Sequence, residues 1–402
     1  MARKVKHLII GGGVIGASVA YHLAMRGETD IVMLERDALP GCGSTGRATG
    51  GIRCQFETPV NIRMSQHSLN FIKNCGFDAG YEPRGYLFFA TRPEHFEYLK
   101  TSSERQKRLG VANIRLVSKE EIEEIVPGMI TDDILGGTFC TDDGFVNPVA
   151  LLSGFLRNAV ERGAEMRCGT SVNSFAVRDG KIAAVHTDDG EIECENAVLC
   201  AGAWAAKLAA TADVELPVKP LRRQIVWART KEDLPRDLPM VIDIGSGFHF
   251  RPAKEFGSIA DAAGGHLQSN VRQAMDEVFF AYPDPAEASS FNTKPDEDFV
   301  EKVYEHARER APFLANSEVI REKCRAGLYE ISPDHHAILG RCGVEGLYLA
   351  NGFSGHGVMH SPAAGHALAE IILDGSSHTI DVSQLSLERF AKGELINETA
   401  FI

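Results

Sequence analysis

The sequence predicts an α/β fold (α+β overall), with a nucleotide-binding domain assembled from separated segments and a second domain interleaved between them. Three observations carry this. The chain opens on an apolar run, Leu8-Ile9-Ile10, that meets Gly11-x-Gly13-x-x-Gly16, a helical pattern and a second apolar run ending at Glu35. Buried-strand text entering a glycine turn returns at Ala197–Trp204 and again at Leu347–Gly357. Between these recurrences the text changes to strand-like pieces of another character. At 402 residues about two domains are expected. The nucleotide domain is therefore expected to be Rossmann-like and to comprise 1–84, 147–217 and 325–402, leaving 85–146 and 218–324 for the substrate.

The opening motif explains itself physically. Gly11 permits the tight turn out of a buried strand, Gly13 lets a pyrophosphate approach the backbone, and Gly16 lets the helix pack close. Phosphates then sit at a helix N-terminus, where unpaired N–H groups favour negative charge. Glu35 falls about 20 residues on, where an acid grips a ribose hydroxyl. Gly11, Gly13, Val14, Ile15, Gly16, Glu35 and Arg36 are the candidate dinucleotide contacts, and Tyr21, His22 and Arg26 read as an amphipathic helix. The glycines also interrupt what would otherwise resemble a secretory h-region.

Composition narrows the function classes. A formal charge of −13 argues against nucleic acid and anionic membranes as partners. No run approaches the roughly 18 apolar residues of a membrane span, so a soluble cytoplasmic protein is expected. Nine cysteines, an odd number without a C-x-x-C pair, suggest reduced thiols rather than a disulfide frame or a zinc site.

The remaining elements follow in order. A Gly/Ser/Thr-rich stretch, Gly41–Gly51, allows close backbone approach to a ligand. Pro59–Lys73 has helical periodicity, Gly85–Ala90 reads as a strand, and Lys119–Val126 as a short helix capped by Ser118 and stopped by Pro127. Asn147-Pro148 opens a helix over about Val149–Arg162 that Gly163 ends. Strands are expected at Ser171–Val177, Lys181–Thr187 and Glu191–Cys194, joined by Asp179-Gly180 and Asp189-Gly190 turns, with a separate buried strand from Ala197. Further strands are expected at Gln224–Ala228, Phe248–Arg251, Val278–Tyr282 and Leu347–Asn351, and helices at Phe299–Ala311 and Ser361–Leu373. The connection Pro252–Glu277 is far longer than the usual hairpin loop of about 2–5 residues. It contains Ala262-Ala263-Gly264-Gly265 and a helix-like Ser269–Met275, and is expected to form a lid or a partner contact, with surface decoration the alternative.

Several motifs in this order resemble the D-amino-acid-oxidase-type FAD oxidoreductases, in the branch of sarcosine oxidases, glycine oxidase and the flavoprotein subunits of proline-type dehydrogenases. They are the N-terminal fingerprint, Ser44-Thr45-Gly46 with Gly50-Gly51-Ile52-Arg53, Cys200-Ala201-Gly202-Ala203-Trp204, Tyr329-x-x-x-Pro333-Asp334-His335-His336 and Gly352-Phe353-Ser354-Gly355-His356-Gly357. The resemblance spans nearly the whole chain. It implies FAD, a substrate domain on a mostly antiparallel sheet, and hydride removal from the carbon beside an amine. It extends the candidate cofactor contacts to Ser44, Thr45, Gly46, Gly50, Gly51, Ala201, Gly202, Trp204, Gly327, Gly352, Gly355, His356, Gly357, Val358 and Met359. Gly355-His356-Gly357 offers backbone donors where charge builds on a reduced flavin.

Arg53 is the candidate carboxylate anchor, because its fork matches two carboxylate oxygens; a structural salt bridge is the alternative. Tyr329 matches a tyrosine near substrate in similar oxidases, a core tyrosine being the alternative, and Met359 also falls beside the substrate. His356 and Tyr329 are the candidates for catalytic duty. His356 and His360 have i,i+4 spacing but lack a convincing third ligand, so no metal is expected.

The chain departs from those oxidases at three points. Gly327 stands where monomeric sarcosine oxidase has its flavin-linking cysteine, Cys324 being off that position, so FAD is expected to be non-covalent. Met359 replaces a carboxylate-binding lysine. Phe279 falls about where the oxygen-activating lysine lies, which favours a dehydrogenase over an oxidase. The expected activity is oxidation of a small carboxylated amine or amino acid, secondary or N-methylated, to an imine that hydrolyses. Oxygen, a quinone or a partner subunit would accept the electrons, and a homo- or hetero-oligomer stays open. The alternatives are 2-hydroxy-acid oxidation and a non-catalytic flavin-bearing assembly protein.

Overall fold

The computed structural model describes residues 4–257 and 276–398. Two large sheets stand at its centre. The first runs from edge to edge through Ile338–Arg341, Leu347–Asn351, Gly190–Leu199, Val5–Ile10, Ile31–Glu35 and Glu165–Cys168. Its central pairings are parallel, Ile9 lying between Val198 and Met33, while Ile338–Arg341 is an antiparallel edge. The buried strands Val5–Ile10 and Ile31–Glu35 are continuously apolar because helices cover the sheet.

The helix Val14–Met25 fills one of those layers against Gly357–Asp374 and Pro148–Glu161. It is buried from Gly16 through Ala24, so the expected amphipathic face is absent: helices and sheet enclose it on all sides. Small residues make the approach possible. A Cβ on Gly365 would lie 2.2 Å from Ser18 Oγ, which donates to Ser361 O at 2.7 Å. The C-terminal helix begins at Gly357, earlier than Ser361, although Pro362 stands inside it. Pro362 has no N–H for Val358 O, and Ser361 Oγ donates to that carbonyl instead, at 2.9 Å.

The hairpin pieces form as expected, with Asp179 and Gly180 both at positive φ. Glu191–Cys194 and the strand from Ala197 are, however, one continuous strand, Gly190–Leu199. Its first half pairs antiparallel with Lys181–Thr187 and its second half parallel with Val5–Ile10, so it changes partner without a break.

The second sheet runs Glu318–Val319, Lys219–Arg229, Glu277–Ala281, His249–Pro252, Met240–Asp243, Tyr86–Ala90, Gly136–Cys140 and Ile114–Val117. It is antiparallel except where Met240–Asp243 meets Tyr86–Ala90. Arg325–Ile331 pairs with Lys219–Ile225 and joins this sheet to the first domain's helices and turns. Helix Pro93–Arg108 was not expected. It buries one large apolar residue, Leu99, beside Ser102, Ser103 and Gln106, so it has no apolar stripe to read. Its local signals are Pro93 at the first helical position and charge, with Glu94 in the first turn and Arg105, Lys107 and Arg108 in the last. No described helix is long and apolar enough to cross a membrane. The glycines at 264–265 and the helix expected at Ser269–Met275 lie outside the described residues.

Candidate active site

A cavity of about 480 Å³ runs between the sheets and draws its wall from both. That is within the range of about 300–1,000 Å³ usual for ligand sites.

One end is the N-terminal turn. Gly11 has φ +114°, and a Cβ there would lie 2.3 Å from Cys200 O, so no other residue fits where the two parallel strands end together. Val14 N–H donates to Thr45 Oγ1 at 3.0 Å, which ties the helix start to the Ser44–Arg47 turn. Glu35 Oε2 accepts Gly12 N–H at 2.8 Å and Oε1 accepts Asp37 N–H at 2.9 Å. Each carboxylate oxygen keeps a lone pair beyond these bonds. Arg36 lies 3.6 Å over the Trp204 ring, which packs on Phe291 at 5.5 Å. Glu330 lies beyond Gly202, and burial lifts its carboxyl to about 7.

Gly11, Gly13, Val14, Ile15, Glu35, Arg36, Ser44, Thr45, Gly50, Gly51, Ala201, Gly202, Trp204, Gly327, Gly355, His356, Gly357, Val358 and Met359 all line this one cavity. Gly16, Gly46 and Gly352 do not. Gly16 sits beneath the turn, its absent Cβ 2.1 Å from Gly11 O; Gly46 N–H donates to Gly41 O; Gly352 packs on Ile338. Residues present fit a dinucleotide such as FAD: a side-chain-free turn, a helix N-terminus and a carboxylate with spare lone pairs share one wall.

The other end is walled by the second sheet. Arg53 is 3% exposed and lines the cavity. It donates to Gln55 O and to His356 Nε2, both at 3.3 Å, and lies 4.4 Å over the Phe56 ring. No carboxylate among the described residues comes within ion-pairing distance of it. The nearest acidic influence is Asp143, fully buried, which accepts Cys54 N–H at 2.7 Å and Gln55 Nε2 at 2.9 Å. Burial lifts its carboxyl to about 7, even though Gln55, Cys54 and Arg53 pull the other way.

His356 caps the helix Gly357–Asp374, and burial followed by the Arg53 charge holds its imidazole well below the ordinary value. Since arginine can only donate, the Nε2 lone pair of His356 is taken. The Tyr329 ring lies against Gly355, where a Cβ would be 2.4 Å from it, and burial raises its phenol. Arg223, which also lines the cavity, stands 5.8 Å from that ring. The neighbouring Arg222 is bound by Glu287 at 2.9 Å and by Lys294 O at 2.7 Å, so it is a structural ion pair and no substitute anchor.

Two expectations are corrected or sharpened here. Phe279 does not line the cavity; it lies in a layer with Trp227, Ala253 and Ile225, with Arg251 4.3 Å over its ring. The argument that it displaces an oxygen-activating cation therefore falls: Phe279 shares the sheet face of Ala281 and His249, which line the cavity, but sits one pair further along it, beside Arg251 and Trp227. Cys324 is turned away from Gly327: its Sγ is 3.4 Å from Trp227 N and 3.6 Å from Ile320 O, and burial raises the thiol.

His249 was missed. It lines the cavity from His249–Pro252, with Nδ1 2.8 Å from Gly247 O. Its sequence carries no motif; only the alternation that aims it inward could have signalled it. His360 meets Ser65 Oγ at 2.9 Å, and the described residues contain no group of three metal-ligating side chains.

These features define the class. The chain matches the family described as FAD dependent oxidoreductase (DAO) over residues 6–371 and belongs to it. It is 29% identical to FAD-dependent oxidoreductase domain-containing protein 1 of Xenopus laevis, across 97% of this chain and 83% of that one. It is 26% identical to the mitochondrial dimethylglycine dehydrogenase of Rattus norvegicus, covering 97% of this chain and 45% of the relative. Among solved structures, L-proline dehydrogenase from P. horikoshii superposes with a TM-score of 0.85 at 28% identity, across 98% of this chain and 100% of that one. The protein is thus an FAD-dependent oxidoreductase with the fold of the amino-acid-oxidising members.

Proposed function

We propose that this protein oxidises a small carboxylated amine, secondary or N-methylated, at the carbon beside nitrogen. The observation that carries the reading is Arg53, a buried guanidinium on the cavity wall that no carboxylate among the described residues pairs with. A buried charge left unpaired is several kcal/mol unfavourable, so the site is completed by an anion with two oxygens. Gln55 O and His356 each take one N–H of the fork, one from each terminal amino group, and leave the remaining N–H groups for the ligand. Tyr329 and Arg223 close the space around the ligand, Tyr329 as a protonated donor. Gly357, Val358 and Met359 form the first helical turn, and their free N–H groups favour negative charge at that wall. When bound, FAD supplies the hydride acceptor.

Similarity to dimethylglycine dehydrogenase and to L-proline dehydrogenase supports both the amine substrate and a dehydrogenase. Met359, apolar beside the cavity, supports the latter. A quinone or a partner subunit would then take the electrons. The proposed division keeps 1–84, 147–217 and 325–402 for the cofactor and 85–146 and 218–324 for the substrate, although Arg325–Ile331 pairs into the second sheet. The proposed compartment is the cytoplasm, with its nine cysteines as free thiols.

The test is anaerobic bleaching of the purified yellow protein by N-methylglycine, L-proline, glycine and lactate. Rapid bleaching by an amine supports the reading. Bleaching by lactate alone transfers it to hydroxy acids, and bleaching by none favours a flavin-bearing assembly protein.

A further inference from the structure

Oxidation beside nitrogen needs the nitrogen lone pair, yet an alkylammonium keeps its proton up to about pH 10, the value of an unperturbed lysine. Either the site selects the unprotonated amine from solution or a group in the cavity takes that proton. Two imidazoles line the described wall, and His356 has its acceptor nitrogen filled by Arg53. Tyr329 is held in its protonated form. Glu330 takes Phe353 N–H at 3.3 Å and lies beside Gly202, on the nucleotide side.

His249 remains, and its geometry suits the task. Gly247 O can only accept, so Nδ1 carries the hydrogen, which leaves the lone pair on Nε2. The ring keeps part of its surface accessible on the cavity wall while the strand's next residue, Phe250, is fully buried. The charged groups that act on it are Arg53, after the strand Gly51–Ile52, and Arg223, on Lys219–Arg229. On the strands beside it, Asp243 is occupied by Gly245 N–H and Ser246 Oγ, both at 2.9 Å, and Tyr282 is engaged with Asp284.

We propose that His249 is a catalytic residue whose Nε2 accepts the ammonium proton of the bound amine. This rests on the amine reading above. The substrate N–H bond breaks, its electron pair stays on nitrogen, and a new N–H bond forms at Nε2; nothing is oxidised in the step. The imidazolium returns its proton to water when product leaves. Burial first, then Arg53 and Arg223, lowers the ring below its ordinary value, so it is neutral and ready above about pH 6.5.

The test uses the holoenzyme with His249→Gln and His249→Phe. Bound FAD and the affinity for butanoate, the N-methylglycine isostere without nitrogen, should be unchanged, read from the flavin spectrum. Anaerobic bleaching by N-methylglycine at pH 7 should fall by about 10²–10⁴-fold in both variants and recover about tenfold per pH unit toward pH 10. The wild type should climb less steeply than either variant across that range and lose rate further on acidification below about pH 6.5. Variants slowed equally at every pH, or not slowed, overturn the assignment, as does a wild type that itself climbs tenfold per unit from pH 7. If neither N-methylglycine nor L-proline bleaches the wild type, the amine reading and this assignment fall together. If Arg53→Met still binds butanoate normally, the anchor alone falls.

Discussion

Replacing Arg53 with methionine separates a ligand anchor from a structural cation. The side chain is 3% exposed, its two protein acceptors are a backbone carbonyl and an imidazole, and no carboxylate of the described chain pairs with it. Methionine keeps an unbranched stem and removes the charged head. Truncating one partner of a desolvated charge pair weakens binding by about 2–5 kcal/mol. At 1.4 kcal/mol per tenfold, the dissociation constant of butanoate or another small carboxylate should rise about 30- to 4,000-fold. Stability should move the other way from a broken salt bridge. The variant gives up two hydrogen bonds of about 1 kcal/mol each, but it also drops a buried, uncompensated charge whose penalty is several kcal/mol. Ligand-free protein should therefore melt no lower than wild type, whereas removing half of a buried ion pair would lower it by about 3–5 kcal/mol. The assay is a spectral titration with butanoate beside a melting curve, with bound FAD confirmed. Unchanged carboxylate affinity together with a large drop in melting temperature would refute the reasoning.

Other consequences follow from the same geometry. Gly11→Ala puts a Cβ 2.3 Å from Cys200 O at φ +114°, where the backbone penalty alone is about 1–2 kcal/mol; purified protein should hold little FAD, read from its absorbance ratio. Asp143 carries a proton to about pH 7 when folded but only to 3.8 by its ordinary value. The native state thus binds more protons in that window, and its stability falls as pH rises through it. Asp143→Asn cannot ionise, so its melting temperature relative to wild type should improve from pH 5 to pH 8; an unchanged difference would show that the carboxyl ionises freely. Substrate-reduced enzyme mixed with air in a stopped-flow spectrometer should reoxidise too slowly to sustain turnover. Fast reoxidation with stoichiometric hydrogen peroxide would make the protein an oxidase.

The sequence by itself determined whatever depends on near neighbours. The fingerprint turn is legible because Gly11, Gly13 and Gly16 answer local steric needs, and the 179–180 hairpin because both turn residues must take positive φ. Helix caps at Ser118 and Asn147 are read just as locally, each side chain accepting N–H groups within three residues. Arg53 was legible as a candidate only, since nothing local distinguishes an anchor from half of a salt bridge. Only the tertiary structure shows that no carboxylate among the described residues pairs with it and that His356, 303 residues away, meets its fork. It also decided that His249 reaches the cavity while Phe279, on the same sheet face, lies further along it beside Arg251. Strand alternation tells which residues share a face, but which face meets the ligand is set by how two sheets from distant segments close on each other. Helix Pro93–Arg108 escaped for a related reason: beside Leu99 it buries Ser102, Ser103 and Gln106, whose burial only a finished core can reward.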